Sequence, residues 1–221
     1  MSGFAEALEQ ARDSGDLLSG GAFSQETAAD LDGSGLDLRD CRFQSCQFRD
    51  CDFSGAAFYG CTFTDCLLEG CRLSATYWRN CRLSGCKWDG ADLRRSRWKD
   101  STLEEALLRY VNFTSGVWEH ISVKGCDFTE SALSEMRLKK VILEKTDLTG
   151  AELFRTSLTG MDLTSCTLDR IVLSETCREL KGALINAAQA AVVARILGVR
   201  AGGGGGGGWP PPGGGVPAGG G

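Results

Sequence analysis

From Leu38 to Leu173, every fifth residue is large and apolar, without a miss. The series runs Leu38, Phe43, Phe48, Phe53, Phe58, Phe63, Leu68, Leu73, Trp78, Leu83, Trp88, Leu93 and Trp98. It continues Leu103, Leu108, Phe113, Trp118, Val123 and Phe128, then leucine at every step from Leu133 to Leu173. These are 28 positions in a chain that is 42% apolar. Chance would give such a run on the order of once in 10¹⁰ trials, so it is a repeat and must be read as one.

Neither regular element keeps this pattern on one side. On an α-helix at about 100° per residue, a five-residue step turns about 140°, and the apolar residues spiral around the surface. On a flat strand an odd step alternates faces. One solution holds them together: a chain that turns about 90° every five residues, closing a square coil of about 20 residues. Each central residue then points inward, and coils stack at about the 4.8 Å strand spacing.

A second inward position lies two residues before each centre. It holds small or β-branched residues, with Leu36, Met136 and Met161 as larger exceptions. A spacing of two puts both residues on the same face of an extended segment. Ten of the eleven cysteines occupy it, at 41, 46, 51, 61, 66, 71, 81, 86, 126 and 166. Free cysteine packs as a small hydrophobe, which is the reading adopted here over disulfides or a metal site. Cys177 is out of register and is expected to be the most accessible thiol. The remaining three positions of most steps are polar or glycine, as turns and solvent require.

Steps such as Cys51-Asp52-Phe53-Ser54-Gly55, Ala91-Asp92-Leu93-Arg94-Arg95 and Thr146-Asp147-Leu148-Thr149-Gly150 resemble the A(D/N)Lxx unit of the pentapeptide-repeat proteins. The resemblance implies an all-β solenoid, a right-handed quadrilateral β-helix of about seven coils (28/4). At the strand spacing that is a rod about 34 Å long. The segment Ile185 to Ala190, followed by Leu197-Gly198, is similar to the tail through which MfpA and Qnr proteins pair end to end.

The chain divides into four segments. Residues 1–35 hold an N-terminal helix (Ser2 to Ser14, capped by Ser2), a linker and a degenerate first coil, in which Phe23, Ala28 and Gly33 keep the phase. Residues 36–175 are the β-helix and 176–200 a C-terminal capping or dimerisation helix. Residues 201–221 are a glycine- and proline-rich tail, expected to be disordered. Glu179 to Val199 reads as one amphipathic helix, with Leu180, Leu184, Ala188, Ala191, Val192 and Ile196 on a stripe. Leu184, Ala188, Ala191 and Val192 are the candidate homodimer interface.

Chemistry is not expected. The single histidine, His120, falls at a turn, and there is no Ser/His or Cys/His pair, phosphate loop or metal-ligand spacing. No cofactor, metal or catalytic residue is assigned, and the protein is not read as an enzyme. No apolar run spans a membrane and no signal peptide is evident, so a cytoplasmic location is expected.

The family resemblance implies a binding role, with DNA gyrase as candidate partner. A dimeric, DNA-mimicking rod would alter fluoroquinolone sensitivity through an acidic surface. Asp147, Glu152, Asp162 and Asp169, towards the dimer end, are the candidate partner-binding residues. The alternative is an interaction scaffold with no topoisomerase role. Charge favours neither outright. Residues 36–175 carry 19 basic against 21 acidic residues, with a basic belt at 71–100. Direct nucleic-acid binding is not expected, because scattered solvated charges explain that belt.

Overall fold

The computed structural model describes residues 3–15 and 17–199; the Ser2 cap and the tail at 201–221 lie outside them. The chain forms a parallel β-solenoid with a helix at each end. Strands pair in register 20 residues apart: Leu18, Leu38, Phe58, Trp78, Trp98, Trp118 and Leu138 lie one above another. That column is six coil-to-coil steps, so continuous strand pairing on this wall covers about six turns. Isolated bridges carry the same register on to Asp147↔Thr167 and Glu152↔Val172 on other walls.

The corner that turns the chain lies at every fifth residue. Asp40, Ser45, Asp50, Asp65, Ala75, Asn80 and Tyr110 all have φ between 50° and 58°. Non-glycine residues enter this left-handed region at a cost of roughly 1 kcal/mol, least for Asn and Asp. The backbone ladder offsets that cost: each corner N–H donates to the next coil, as Asp40 N to Tyr59 O (2.8 Å) and Asp65 N to Ser84 O (2.9 Å).

The centres fill the square. Phe58, Trp78 and Trp98 stack, with ring centroids 3.9 and 4.4 Å apart. The small position two residues earlier serves the indoles: Trp78 Nε1 donates to Thr76 Oγ1 (2.9 Å) and Trp98 Nε1 to Ser96 Oγ (3.1 Å). Trp88 and Trp118 follow Cys86 and Gly116 instead, and their indole N–H groups have no hydrogen-bond partner among the described residues. Trp118 stands edge-on to Phe113, 5.1 Å away, rather than stacking on Trp98. The thiols are free and buried; Cys177, at 9%, is the most exposed of them, in line with its place outside the register. In the column Cys41, Cys61 and Cys81 each thiol donates to a carbonyl 23 residues back: Cys41 to Leu18, Cys61 to Leu38, Cys81 to Phe58. Burial pushes the Cys126 thiol up to about 11, so it remains protonated at neutral pH.

The first coil is degenerate because a helix fills it. Helix α1 (Gly3–Ser14) buries Phe4, Leu8 and Ala11 against the open end of the square. The Phe4 ring lies 5.0–5.1 Å from Phe23, Phe43 and Phe48. A side chain at Gly33 would collide with Phe53 at 2.6 Å. Two long-range polar contacts pin the helix. Phe4 N donates to Glu26 Oε2 (2.8 Å), and Arg12 meets Asp32 at 2.8 Å. The Arg12 guanidinium holds the Asp32 carboxyl far below the usual carboxylate range.

At the other end the ladder divides. The strand Arg137–Glu144 pairs with Val117–Lys124 on one side only. The next coil turns forward instead: Leu158 N donates to Glu179 O, Gly160 N to Gly182 O and Leu163 N to Leu184 O. Side chains seal part of the gap, Thr156 Oγ1 accepting from Met136 N and Ser165 Oγ from Lys145 N. Residues 178–184 are therefore used for pairing. They include only a short 3₁₀ turn, Arg178–Leu180. Helix α2 is Ala187–Ile196, shorter than the expected Glu179 to Val199, and Leu184 lies outside it.

Candidate binding walls

The four walls of the coil are the surfaces available to a partner, and the sequence-predicted acids do not share one. Asp147 and Asp169 lie on the same wall in successive coils, since Asp147 bridges to Thr167. Glu152 lies on the next wall, where it bridges to Ala132 and Val172. Asp162 lies on a third, opposite Glu152 across the square, and bridges to Leu184.

Their chemistry also differs. The Asp147 carboxylate accepts from Thr149 N (2.8 Å) and Thr149 Oγ1 (2.6 Å). Asp162 accepts the same pair of bonds from Thr164, hydroxyl and N–H together holding its carboxyl below the usual range. These two acids shape turns. Glu152 and Asp169 are exposed and, among the described residues, carry no side-chain hydrogen bond or ion pair.

Charge segregates by wall instead. The wall built from 36–40 through 156–160 carries Arg39, Arg79, Arg97, Lys99, Arg137, Lys139 and Lys140 against Asp37, Asp40, Asp100 and Glu119, a net of +3. The opposite wall, from 46–50 through 166–170, carries Asp50, Glu69, Asp89, Asp127, Glu130, Asp147 and Asp169 against Arg49, Lys87, Arg109 and Arg170, a net of −3. The belt at 71–100 is thus divided. Arg72 pairs with Asp52 and Arg94 with Asp92, at 2.8 and 2.7 Å, on a wall that is neither of these two. His120 pairs with Asp100 at 2.9 Å on the surface.

The C-terminal end is held by two buried polar side chains that sequence reasoning missed. Gln189 in α2 donates through Nε2 to Leu163 O (2.7 Å) and Cys166 O (2.6 Å), and so satisfies carbonyls of the last coil. Its Oε1 accepts from Asn186 N while Asn186 Oδ1 accepts from Gln189 N, a capping box that starts the helix. The signal was available as N-x-x-Q. Of the candidate dimer residues, Leu184, Ala188 and Ala191 are exposed and Val192 is half-buried. Ile196, Leu197 and Val199 extend the exposed apolar surface.

Glu179 is the second, only 4% exposed. Oε1 accepts from Arg155 N (3.0 Å); Oε2 accepts from Ser174 N (3.2 Å) and Ser174 Oγ (2.8 Å). Burial alone would raise its pKa, but these donors outweigh burial and lower it. A lowered folded pKa stabilises the fold above the ordinary glutamate range, and that contribution disappears as pH falls through the folded value. Replacement Glu179→Gln turns an amide N–H toward donors. It is expected to cost about 1–3 kcal/mol at pH 7. Urea midpoints of the two proteins should draw together as pH falls below the ordinary glutamate range and through the lowered folded value.

Among the described residues there is no group of three or more His, Cys, Asp or Glu side chains that could hold a metal. No helix among the described residues is long and apolar enough to cross a membrane. With the thiols buried, the exposed chemistry is that of charged walls.

Profiles of pentapeptide repeats match three stretches that together run from 29 to 170. They are pentapeptide repeats (9 copies) over 29–82, the pentapeptide repeat region over 61–126, and pentapeptide repeats (8 copies) over 126–170. No curated protein matches the chain in sequence. Among solved structures it is similar to a trypsin-treated form of QnrB1, a plasmid-mediated fluoroquinolone resistance protein. Identity is 17% and TM-score 0.51, over 85% of this chain and 99% of that one. Full-length QnrB1 aligns at 18% identity and TM-score 0.46, over 81% and 100%. HetL, a pentapeptide repeat protein involved in heterocyst differentiation regulation from the cyanobacterium Nostoc sp. strain PCC 7120, aligns at 15% and 0.37, over 80% and 95%. At 17% identity and TM-score 0.51 the first of these likenesses establishes the fold alone.

Proposed function

Because the chain belongs to the pentapeptide-repeat proteins, we propose that it is a non-catalytic binding rod whose acidic wall docks on a basic, DNA-binding protein surface. DNA gyrase is the partner to test. Proteins of this family are generally non-catalytic. The observation that supports the reading is the wall of 126–130, 146–150 and 166–170, where Asp127, Glu130, Asp147 and Asp169 face only Arg170. Three coils are about 14 Å tall, so the wall carries roughly one net charge per 5 Å. A duplex carries one per about 1.7 Å. The match is partial, and affinity would have to come from shape as well as charge. In this reading the exposed apolar surface of α2, with Ala188, Ala191 and Val192, joins two rods end to end, and light scattering should give twice the chain mass.

The test is gyrase supercoiling with added protein. The wild type is expected to inhibit at micromolar concentration, less so as salt rises. The double replacement Glu130→Lys with Asp169→Lys should weaken inhibition about five- to tenfold, the scale of two to three lost charge contacts at about 0.5 kcal/mol each. Glu152→Lys, on the adjacent wall, should leave inhibition near wild type. An inert wild-type protein at ten micromolar and low salt, a level set by the micromolar expectation, would falsify this reading. The alternative scaffold, with no topoisomerase role, would then stand. The +3 wall favours that alternative, since a basic saddle would repel it.

A further inference from the structure

On the basic wall, two neighbouring columns of side chains are built alike except at one position. In the first, Lys99, Glu119 and Lys139 lie in register on successive coils. Glu119 bridges the two lysines, 3.8 Å from Lys99 Nζ and 2.8 Å from Lys139 Nζ. Two residues earlier on the same strands the register reads Arg97, Val117, Arg137. Cations again flank the middle coil, but valine stands where the neighbouring column has its carboxylate.

The gap is a real recess. It has a volume of about 420 Å³ and is lined by Arg95, Arg97, Ser115, Val117, Glu135 and Arg137. None of the three arginines makes an ion pair among the described residues, whereas Arg72, Arg94, Arg109 and Arg155 all do. Glu135, also on the rim, is already engaged: it accepts from Ser115 Oγ (3.2 Å) and pairs with Arg155 (3.4 Å). Three guanidinium groups without an ion pair thus share one recess with a single carboxylate, Glu135, and only Arg95 has a further acid, Asp92, acting on it. Arg97 and Arg137 are two strand spacings apart, about 9.6 Å along the wall. An oxyanion between them, taking one charge-assisted bond of about 2.8 Å from each side, spans that separation.

We propose that this recess binds a phosphate-type oxyanion, which takes the place that Glu119 fills in the next column. The planar fork of arginine, unlike the lysine ammonium beside it, matches the paired oxygens of a phosphate group. The site lies at the edge of the wall opposite the acidic one, at the corner formed by Arg95, Ser115 and Glu135, and stands independently of the gyrase reading.

Calorimetric titration of the full chain at constant ionic strength tests it, with inorganic phosphate in one arm and glycerol 3-phosphate in the other. Millimolar or tighter binding is expected in at least one arm. Equal affinity in both assigns the site to the phosphate group of an organic ligand, and binding in the first arm alone assigns it to the free ion. Arg97→Ala and Arg137→Ala should each weaken binding about fivefold or more. Val117→Glu supplies the missing carboxylate internally and should abolish it, with the circular dichroism of the fold retained. Arg79→Ala, on the same wall outside the recess, should change nothing. The proposal is overturned if neither ligand binds, or if Val117→Glu binds as the wild type does. It is equally overturned if Arg79→Ala weakens binding as much as Arg97→Ala, which would mark a diffuse attraction to the whole wall. Should Val117→Glu fail to fold, the two arginine variants decide alone.

Discussion

Replacement Trp98→Ala is expected to lower the stability of the folded chain by about 3–5 kcal/mol, the range for deleting a large buried aromatic. Trp98 is 1% exposed, stacks on Trp78 at 6° between planes and lies 6.3 Å from Phe113. Its removal leaves a hole in mid-column, where coils above and below are locked in register by Trp78↔Trp98↔Trp118 pairing and cannot collapse independently. It also strands Ser96 Oγ, buried with the indole N–H as its ring-side partner. Trp98→Phe should recover most of the loss, because it restores the stack and forgoes only one hydrogen bond of about 1 kcal/mol. Urea denaturation reads all three proteins. A wild-type midpoint in Trp98→Ala would remove Trp98 from the core.

Phe4→Ala should be as costly in energy but different in reach. Phe4 is 1% exposed and packs edge-on to Phe23 and Phe43. With Ala28 and Gly33 at the inward positions of the first coil, no other side chain can fill the space it leaves. The cost is again about 3–5 kcal/mol. In a solenoid each coil depends on its neighbours alone, so damage at a terminus frays that terminus. Amide exchange should accelerate over Leu18–Ala29 and remain slow around Trp78 and Trp98. If protection at Leu18–Ala29 survives the replacement, α1 only lies against the rod and does not plug it.

The contrast between these two sites shows what the sequence made legible. Trp98 belongs to a strict five-residue series, and periodicity alone assigned it to the interior. Phe4 precedes the series. Its role depends on what the first coil lacks at Ala28 and Gly33, a vacancy meaningful only once the helix is placed over it. The same holds at the other end. Leu184 fits a helical stripe in sequence, yet backbone demand from Leu163 draws it into a bridge with Asp162, because an unpaired coil edge costs more than a lost helical turn. The wall charges were hidden for a related reason. Arg97 and Arg137 are 40 residues apart in sequence and neighbours but one in space, so a linear count found a belt at 71–100 where the fold has a face. The left-handed corners at Ala75 and Tyr110 left no compositional trace, since neither residue type favours that conformation.

The divided ladder at Arg137–Glu144 gives the rod a direction of weakness. Past this strand, two adjacent walls have no main-chain bonds to the next coil, while the other two continue through Leu148 N to Thr167 O and Leu153 N to Val172 O. A beam cut on two neighbouring sides bends toward the cut corner and resists bending elsewhere. The final coil, the 3₁₀ turn and α2 are joined to the rod by main-chain bonds on two adjacent walls, and on the other two by the Thr156 and Ser165 hydroxyls. A load applied at the C-terminal end thus reaches the rod through one corner of the square, by way of Leu148 and Leu153, and not evenly around it.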